Sequence, residues 1–477
     1  MSLTSEPSLT NLWQVASWRS TFIWLGQWFN GLVAFGNIGR DILQTNDHAV
    51  HFELLPQTKI HSSGLPGDSS LATPVPHGDT ADAVEDISVA IELKFLVPLL
   101  PLEAQRYNHH GAAPRGVVAL ACSVDEAALA NQAYELIAQS IRRTAGQRSI
   151  TLPEILRIGC QERDFWETHW IVKKANSGEP RDDDGTDSGC HWIPVEICSP
   201  KLRWNEPRVQ RAVGAVLRAL DTNHGIVANY TCDAHVHVGR LDGRPFRLNT
   251  LKRLATILWL AEDMLRSIRN PSSPNFHNVY TWGAEVRKHS RLAEALGHDS
   301  FLAEYHSAAK EAGAAIDPTG LESEEYHAIN AIWAAQSPLE LGRMLSGSSR
   351  QYRRLGFNFS SFGEEDERAK QGPKTIEFRV LEGTLRNDVV LPWTSICHAL
   401  VETATVGEKG QFQFQDVVAC LLEEGPGGCR GPGATAEHRL TNFIDCLGIG
   451  HGMAGAFLDN IRRDRIRPGS GLGKEDF

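Results

Sequence analysis

From residue 86 onward the chain alternates between short stretches with apolar side chains at every second position and longer ones with apolar residues three and four apart. The first pattern is that of a strand with one buried face, the second that of an amphipathic helix. Ile87 to Val97 is a β-branched apolar run ending at Pro98, which reads as a strand. His169–Lys173, Trp192–Cys198, the segment around His235 and His237, and the segment around Glu377 read as further strands. Ser123-Val-Asp-Glu126 is a capping box, predicting a helix to Gly146 whose last turn carries Arg142 and Arg143. Pro207 opens a second helix with Val209, Val213, Val216, Leu217 and Leu220 in one stripe and Gly225 after its end. A long helix is predicted over 249–269, an all-helical stretch over 300–347, and further helices over 388–405 and 441–463. Irregular strand spacing without a strict βαβ period predicts an α+β fold over a doubly wound sheet.

The flanks break this pattern. Residues 1–55 hold four of the twelve tryptophans (Trp13, Trp18, Trp24, Trp28) and read as an atypical extension. Their apolar core, Phe22 to Gly36, is too short and too interrupted to cross a bilayer and lacks the basic segment that opens a secretory signal. Residues 56–85 are rich in Ser, Gly, Pro and Thr and read as a linker, which places the folded domain at 86–465 and a tail at 466–477. The acidic run 178–189 lacks the calcium-loop spacing that ends in a bidentate Glu, and reads as a solvated loop.

Composition narrows the partners. A formal charge of −11 gives no electrostatic reason to expect a nucleic-acid backbone, although a local basic pocket for a small anion stays open. The nine cysteines are scattered, with no Cys-x-x-Cys, as expected of buried thiols in a reducing, cytoplasmic setting. Neither a membrane nor a nucleic acid is an expected partner.

Two stretches carry most of the chemistry. In Ala-His-Val-His-Val-Gly at 234–239, His235 and His237 project from one side of a strand, and in Thr-Ile-Glu-Phe-Arg at 375–379 so do Glu377 and Arg379. Two imidazoles, a carboxylate and a guanidinium aimed into one space suit a divalent metal and an anion. Glu92 and Glu196 each sit alone inside an apolar strand, where a carboxylate is unfavourable unless something pairs with it. Three such acids in three strands are better explained as metal ligands than as separate accidents. Taken singly, each signal also has a structural reading: a core histidine, or a cross-strand Glu-Arg pair. Gly383-Thr384 after the last motif suggests close approach of backbone to a ligand. A His-x-His pair also opens the metal site of many hydrolases, where a metal-bound water attacks and ATP is not needed.

Four motifs in order, Ile-Glu-Leu-x-Phe-Leu-Val-Pro at 91–98, Trp-Ile-Pro-Val-Glu-Ile-Cys-Ser-Pro at 192–200, Cys-x-Ala-His-Val-His-Val-Gly at 232–239 and Thr-Ile-Glu-Phe-Arg…Glu-Gly-Thr-Leu at 375–385, resemble the amidoligases common in fungi, which belong to the glutamine-synthetase-like carboxylate–amine ligases. The resemblance spans about residues 86–465. It implies a twisted, mainly antiparallel sheet forming a funnel with helices on its outer face, and an ATP-dependent ligase in which Mg2+ or Mn2+ bridges carboxylates and nucleotide phosphates. A substrate carboxylate would be phosphorylated and an amine would then displace phosphate. By motif matching, Glu92, Glu196, His235 and Glu377 stand as metal ligands, His237 faces the nucleotide phosphates, and Arg379 holds a phosphate or the substrate carboxylate.

Two departures from the family pattern follow. Where a second acid usually stands two residues after the first, this chain has Lys94, whose ammonium either replaces part of a metal's charge against phosphate or marks a degenerate site that binds without turnover. Where an aspartate often precedes a serine, the chain offers Ala175 and Asn176 before Ser177. The substrates are expected to be a small-molecule or peptide carboxylate and an amine. Specificity would lie in loops 99–121 and 270–300, with His277, Tyr280 and Arg287 as candidate lining residues.

Overall fold

In a computed structural model of the chain, the residues described are 85–100, 118–119, 126–181, 191–223, 225–270, 284–297, 323–348, 354–364, 367–405, 408–423, 429–430 and 435–465. They all fall in one unit, Gly78–Phe477. The Trp-rich extension, most of the linker, the tail, Ser123, His277, Tyr280 and most of the acidic run lie outside the described residues.

Eight strands form one sheet: β1 (Ile87–Leu100), β2 (Val118–Ala119), β3 (Ser149–Thr151), β4 (Trp170–Lys174), β5 (His191–Cys198), β6 (Asp233–Arg240), β7 (Phe357–Asn358) and β8 (Thr375–Glu382). Their order is β3-β4-β5-β1-β6-β8-β7, with β2 added beside the end of β1. Only β1–β2 and β3–β4 are parallel; the other pairings are antiparallel. The architecture is the α+β arrangement that the strand spacing predicts.

The sheet has two chemically opposite faces, and alternation produces both. Val89, Ile91, Leu93, Phe95, Val195, Ile197, Val236, Val238, Ile376 and Phe378 are buried on one face. Helix Asn387–Ala404 lies against β1 and β6 there, and helix Glu126–Arg143 against β3, β4 and β5. Helices Pro207–Asn223 and Leu248–Arg266 pack against Asn387–Ala404, with Val213, Val216, Leu217 and Leu220 buried as the stripe predicts. The opposite face carries the charged residues.

Three findings differ from the sequence expectation, two at element boundaries and one at a glycine. β1 continues through Pro98, which pairs with Trp192 on β5. On its other side β1 pairs with β6 only up to Leu93, so the missing Pro98 N–H interrupts no long ladder. The last helix is two, Ala436–Cys446 and His451–Arg465. Gly448 and Gly450, at φ +75° and +91°, adopt a left-handed backbone that ends the first helix and re-aims the second. The third concerns Gly383, read above as a point of ligand approach. A Cβ there would lie 2.9 Å from the Cys232 carbonyl carbon and 3.1 Å from the Asn229 oxygen, so what the glycine admits is the backbone entering β6.

Candidate metal and anion site

Strand register assembles the polar face. Glu92 on β1 lies opposite Cys198 on β5 and His235 on β6, and Lys94 lies opposite Glu196. Lys173 on β4 lies opposite Glu196 from the other side. His237 on β6 pairs with Glu377 on β8, and Glu377 with Asn358 on β7. Six adjacent strands thus deliver chemistry-bearing side chains to one surface. Between Ala234 and Val236 the β6–β8 register shifts, β8 carrying the extra residue, and the Arg379 N–H donates to Gly356 O at 2.8 Å. Such a bulge re-aims the local side chains.

Glu92, His235 and Glu377 form the first focus. His235 Nδ1 is 3.2 Å from Glu92 Oε1 and 3.2 Å from Glu377 Oε1, and His235 is only 1% exposed. His237 Nε2 lies 3.4 Å from Glu92 Oε2 and 3.8 Å from Glu377 Oε1, while its Nδ1 is 3.2 Å from Thr375 Oγ1. Asn358 Nδ2 donates to Glu377 Oε2 at 2.7 Å, and Arg379 Nη1 donates to Glu377 Oε1. One donor atom from each of Glu92, His235 and Glu377 lies within 4.8 Å of the others, and two carboxylates with an imidazole are a donor set that suits a divalent ion.

A second focus shares Glu92. One donor atom each from Glu92, Glu196 and Cys198 also lies within 4.8 Å of the others. Here cations are built in. Lys94 Nζ is 3.1 Å from Glu92 Oε1 and 3.6 Å from Asp233 Oδ2. Lys173 Nζ is 3.2 Å from Glu196 Oε1 and 2.7 Å from Glu162 Oε1. The Cys198 thiol donates to Glu196 Oε1 at 3.4 Å.

The charges set one another's protonation. Burial pushes Glu92 upward, but hydrogen bonds and charge from His235, His237 and Lys94 outweigh it and hold the carboxyl well below its usual range. Glu377 is likewise held well below, Arg379, His237 and His235 outweighing burial. Burial works against protonated His237, yet Glu377 and Glu92 raise it. Lys94 is raised despite burial by Glu92, Asp233 and Glu196. Lys173 is raised despite burial by Cys198, Glu196 and Glu162. Glu196 and Asp233 go the other way: burial raises both, with Glu92 adding to it at Glu196.

All seven site residues read from the sequence, Glu92, Lys94, Glu196, His235, His237, Glu377 and Arg379, therefore lie on one sheet face. Glu92, His235, His237, Glu377 and Arg379 meet at one focus, with Glu196 displaced toward Lys173. Arg287, a candidate lining residue, has Nη1 3.6 Å from Glu325 Oε1 and 3.7 Å from Asp263 Oδ2. Sequence reading passed over Lys173, Cys198, Asp233 and Asn358 as site residues. Asp233, two before His235, and Cys198, two after Glu196, share a face with a residue already singled out, and this spacing was a usable signal. Asn358 lies on a two-residue strand, too short to show a period.

The sheet is mostly antiparallel, with one helix-covered apolar face and one face of acids, imidazoles and cations. The family model described as "putative amidoligase enzyme" matches residues 163–401, half of the chain, and the chain belongs to this family. Among curated proteins, none matches the chain. The matched stretch contains β4 to β8 and hence every site residue except Glu92, Lys94 and Glu162. Strand β1, which carries Glu92 and Lys94, precedes the matched stretch in sequence yet lies between β5 and β6.

Proposed function

We propose that this chain is an ATP-dependent carboxylate–amine ligase whose polar sheet face binds a divalent ion together with the nucleotide phosphates. Family membership supports ligase chemistry. The observation that carries the metal and phosphate part is the convergence of Glu92, His235 and Glu377 within 4.8 Å, beside Arg379. An ion of the Mg2+ or Mn2+ type, held by Glu92, Glu377 and His235, would supply charge neutralisation for phosphoryl transfer. Asn358 and Arg379 fix the Glu377 carboxylate by donating to its two oxygens. His237, 24% exposed where His235 is 1%, is the imidazole that an incoming phosphate reaches first. Arg379 supplies a planar cation suited to an oxyanion.

In the proposed reaction a carboxylate oxygen of the substrate attacks the γ-phosphorus and ADP leaves, giving an acyl phosphate. An amine nitrogen then attacks the acyl carbon, inorganic phosphate departs with the bonding pair, and the amine proton passes to solvent or a nearby base. Lys94 and Lys173 add positive charge next to this path.

A second reading has one observation in its favour. Lys94 lies 3.1 Å from Glu92, where the family usually places an acid, as expected of a relative that binds nucleotide and metal without turnover. Both readings meet in one assay: the full chain with Mg·ATP, a panel of carboxylates, and hydroxylamine as the trapping amine. Hydroxamate and ADP formed in proportion, and lost in Arg379→Ala, are expected of the ligase. Nucleotide binding without either product supports the second reading.

A further inference from the structure

The two donor triads share Glu92, yet they differ in what already stands among them. The Glu92–His235–Glu377 triad joins two carboxylates to an imidazole, with Arg379 at its edge. The Glu92–Glu196–Cys198 triad lies between two ammonium groups: Lys94 Nζ 3.1 Å from Glu92 Oε1 and Lys173 Nζ 3.2 Å from Glu196 Oε1. Cross-strand register sets this arrangement, Lys173, Glu196 and Lys94 being successive partners on β4, β5 and β1. Lys94 is 4% exposed, so water screens it little. The charge balance points the same way. Glu92, Glu162, Glu196, Asp233 and Glu377 face Lys94, Lys173 and Arg379. A second divalent ion, at the Glu92–Glu196–Cys198 triad, would lie directly against both ammonium groups on a buried surface.

We infer that the sheet face holds one divalent ion, at Glu92–His235–Glu377, and that Lys94 and Lys173 act as resident counter-cations which close the Glu92–Glu196–Cys198 triad to a second. This inference rests on the proposed metal site. It adds Lys173 as a residue that determines metal number, and it gives Glu196 the role of holding Lys173 instead of ligating an ion.

The test counts ions on the full chain with the metal alone as probe. Mn2+ titrated by calorimetry, with free ion followed by electron paramagnetic resonance, is expected to saturate at one per chain. The paired variant Lys94→Gln with Lys173→Gln is expected to take two. Cd2+ adds a signature independent of that variant's folding. Because only the second triad contains sulfur, the wild-type Cd2+ complex is expected to show no sulfur-to-metal charge-transfer absorption that Cys198→Ser removes. Two Mn2+ ions on the wild type, a Cys198-dependent band in its Cd2+ complex, or a paired variant that folds and still binds one ion would overturn the inference while leaving the metal site standing. Zero ions on the wild type would overturn both.

Discussion

At Glu377 four side chains converge: Asn358 and Arg379 donate to its carboxylate, and His235 and His237 lie 3.2 and 3.8 Å from it. Asn358 touches the proposed ligand Glu377 and not the ion it would hold, and such supporting hydrogen bonds are worth roughly 10–100-fold in metal affinity. Asn358→Ala is therefore expected to weaken Mn2+ binding roughly tenfold or more with an unchanged circular dichroism spectrum, measured by calorimetry. A different carboxylate adds a pH dependence of its own. Glu262, fully buried on helix Leu248–Arg266, accepts from the backbone N–H groups of Val286 and Arg287 at 2.7 and 2.8 Å. Burial pushes its pKa up to about 7 from an ordinary 4.5. A carboxyl whose folded pKa is raised contributes stability in full below the unfolded value, and that contribution is lost as pH rises through the folded one. The chain is thus expected to lose melting temperature between about pH 4.5 and 7, relative to Glu262→Gln, whose profile lacks this component. Parallel profiles for the two proteins across that range would contradict the assignment. Legibility at this scale was uneven. Lone acids in apolar strands announced Glu92, Glu196 and Glu377, because an unpaired buried carboxylate is unfavourable. Lys173 gave no such signal, since a lysine near a strand end is ordinary until its register against Glu196 is known.

At the scale of elements, alternation along a strand was enough to predict which side chains share a face, and the His-x-His and Glu-x-Arg pairs do so. Local pattern carries no information on which strand lies beside which, and the crossing of β1 between β5 and β6 is a tertiary result. The β8 bulge and the split of the last helix were also hidden, one set by pairing across strands and the other by two glycines with φ above +70°. The same packing makes specific demands. Gly383 abuts Cys232, one residue before Asp233 begins β6. Gly383→Ala must displace that backbone and is expected to destabilise the chain by about 1–3 kcal/mol, the range for overpacking a tight site, as read from denaturant midpoints. On the opposite face Phe378 is fully buried and meets Phe357 edge-on at 5.9 Å. Phe378→Ala is expected to lose about 3–5 kcal/mol and, since Phe378 sits between Glu377 and Arg379, to loosen the site with the core.

For the whole molecule, the sheet acts as a partition. Its apolar face, buried under helices, fixes the strands in register, and that register in turn places acids, imidazoles and cations on the other face within a few ångströms. Among the described residues no helix is long and apolar enough to cross a membrane. The seven described cysteines are free thiols. β1 precedes the family-matched segment, yet it contributes Glu92 to both donor triads. The most direct test of the proposed metal–nucleotide site is the melting temperature of the full chain with ATP plus Mg2+, beside ATP with a chelator, in the wild type and in Glu377→Ala. A ligand present at 100 times its dissociation constant stabilises the folded state by about 2.7 kcal/mol, which a melt resolves. The site described here predicts a Mg2+-dependent rise in the wild type that Glu377→Ala abolishes. A wild type that melts at the same temperature in both conditions, or a rise that survives in Glu377→Ala, would contradict it.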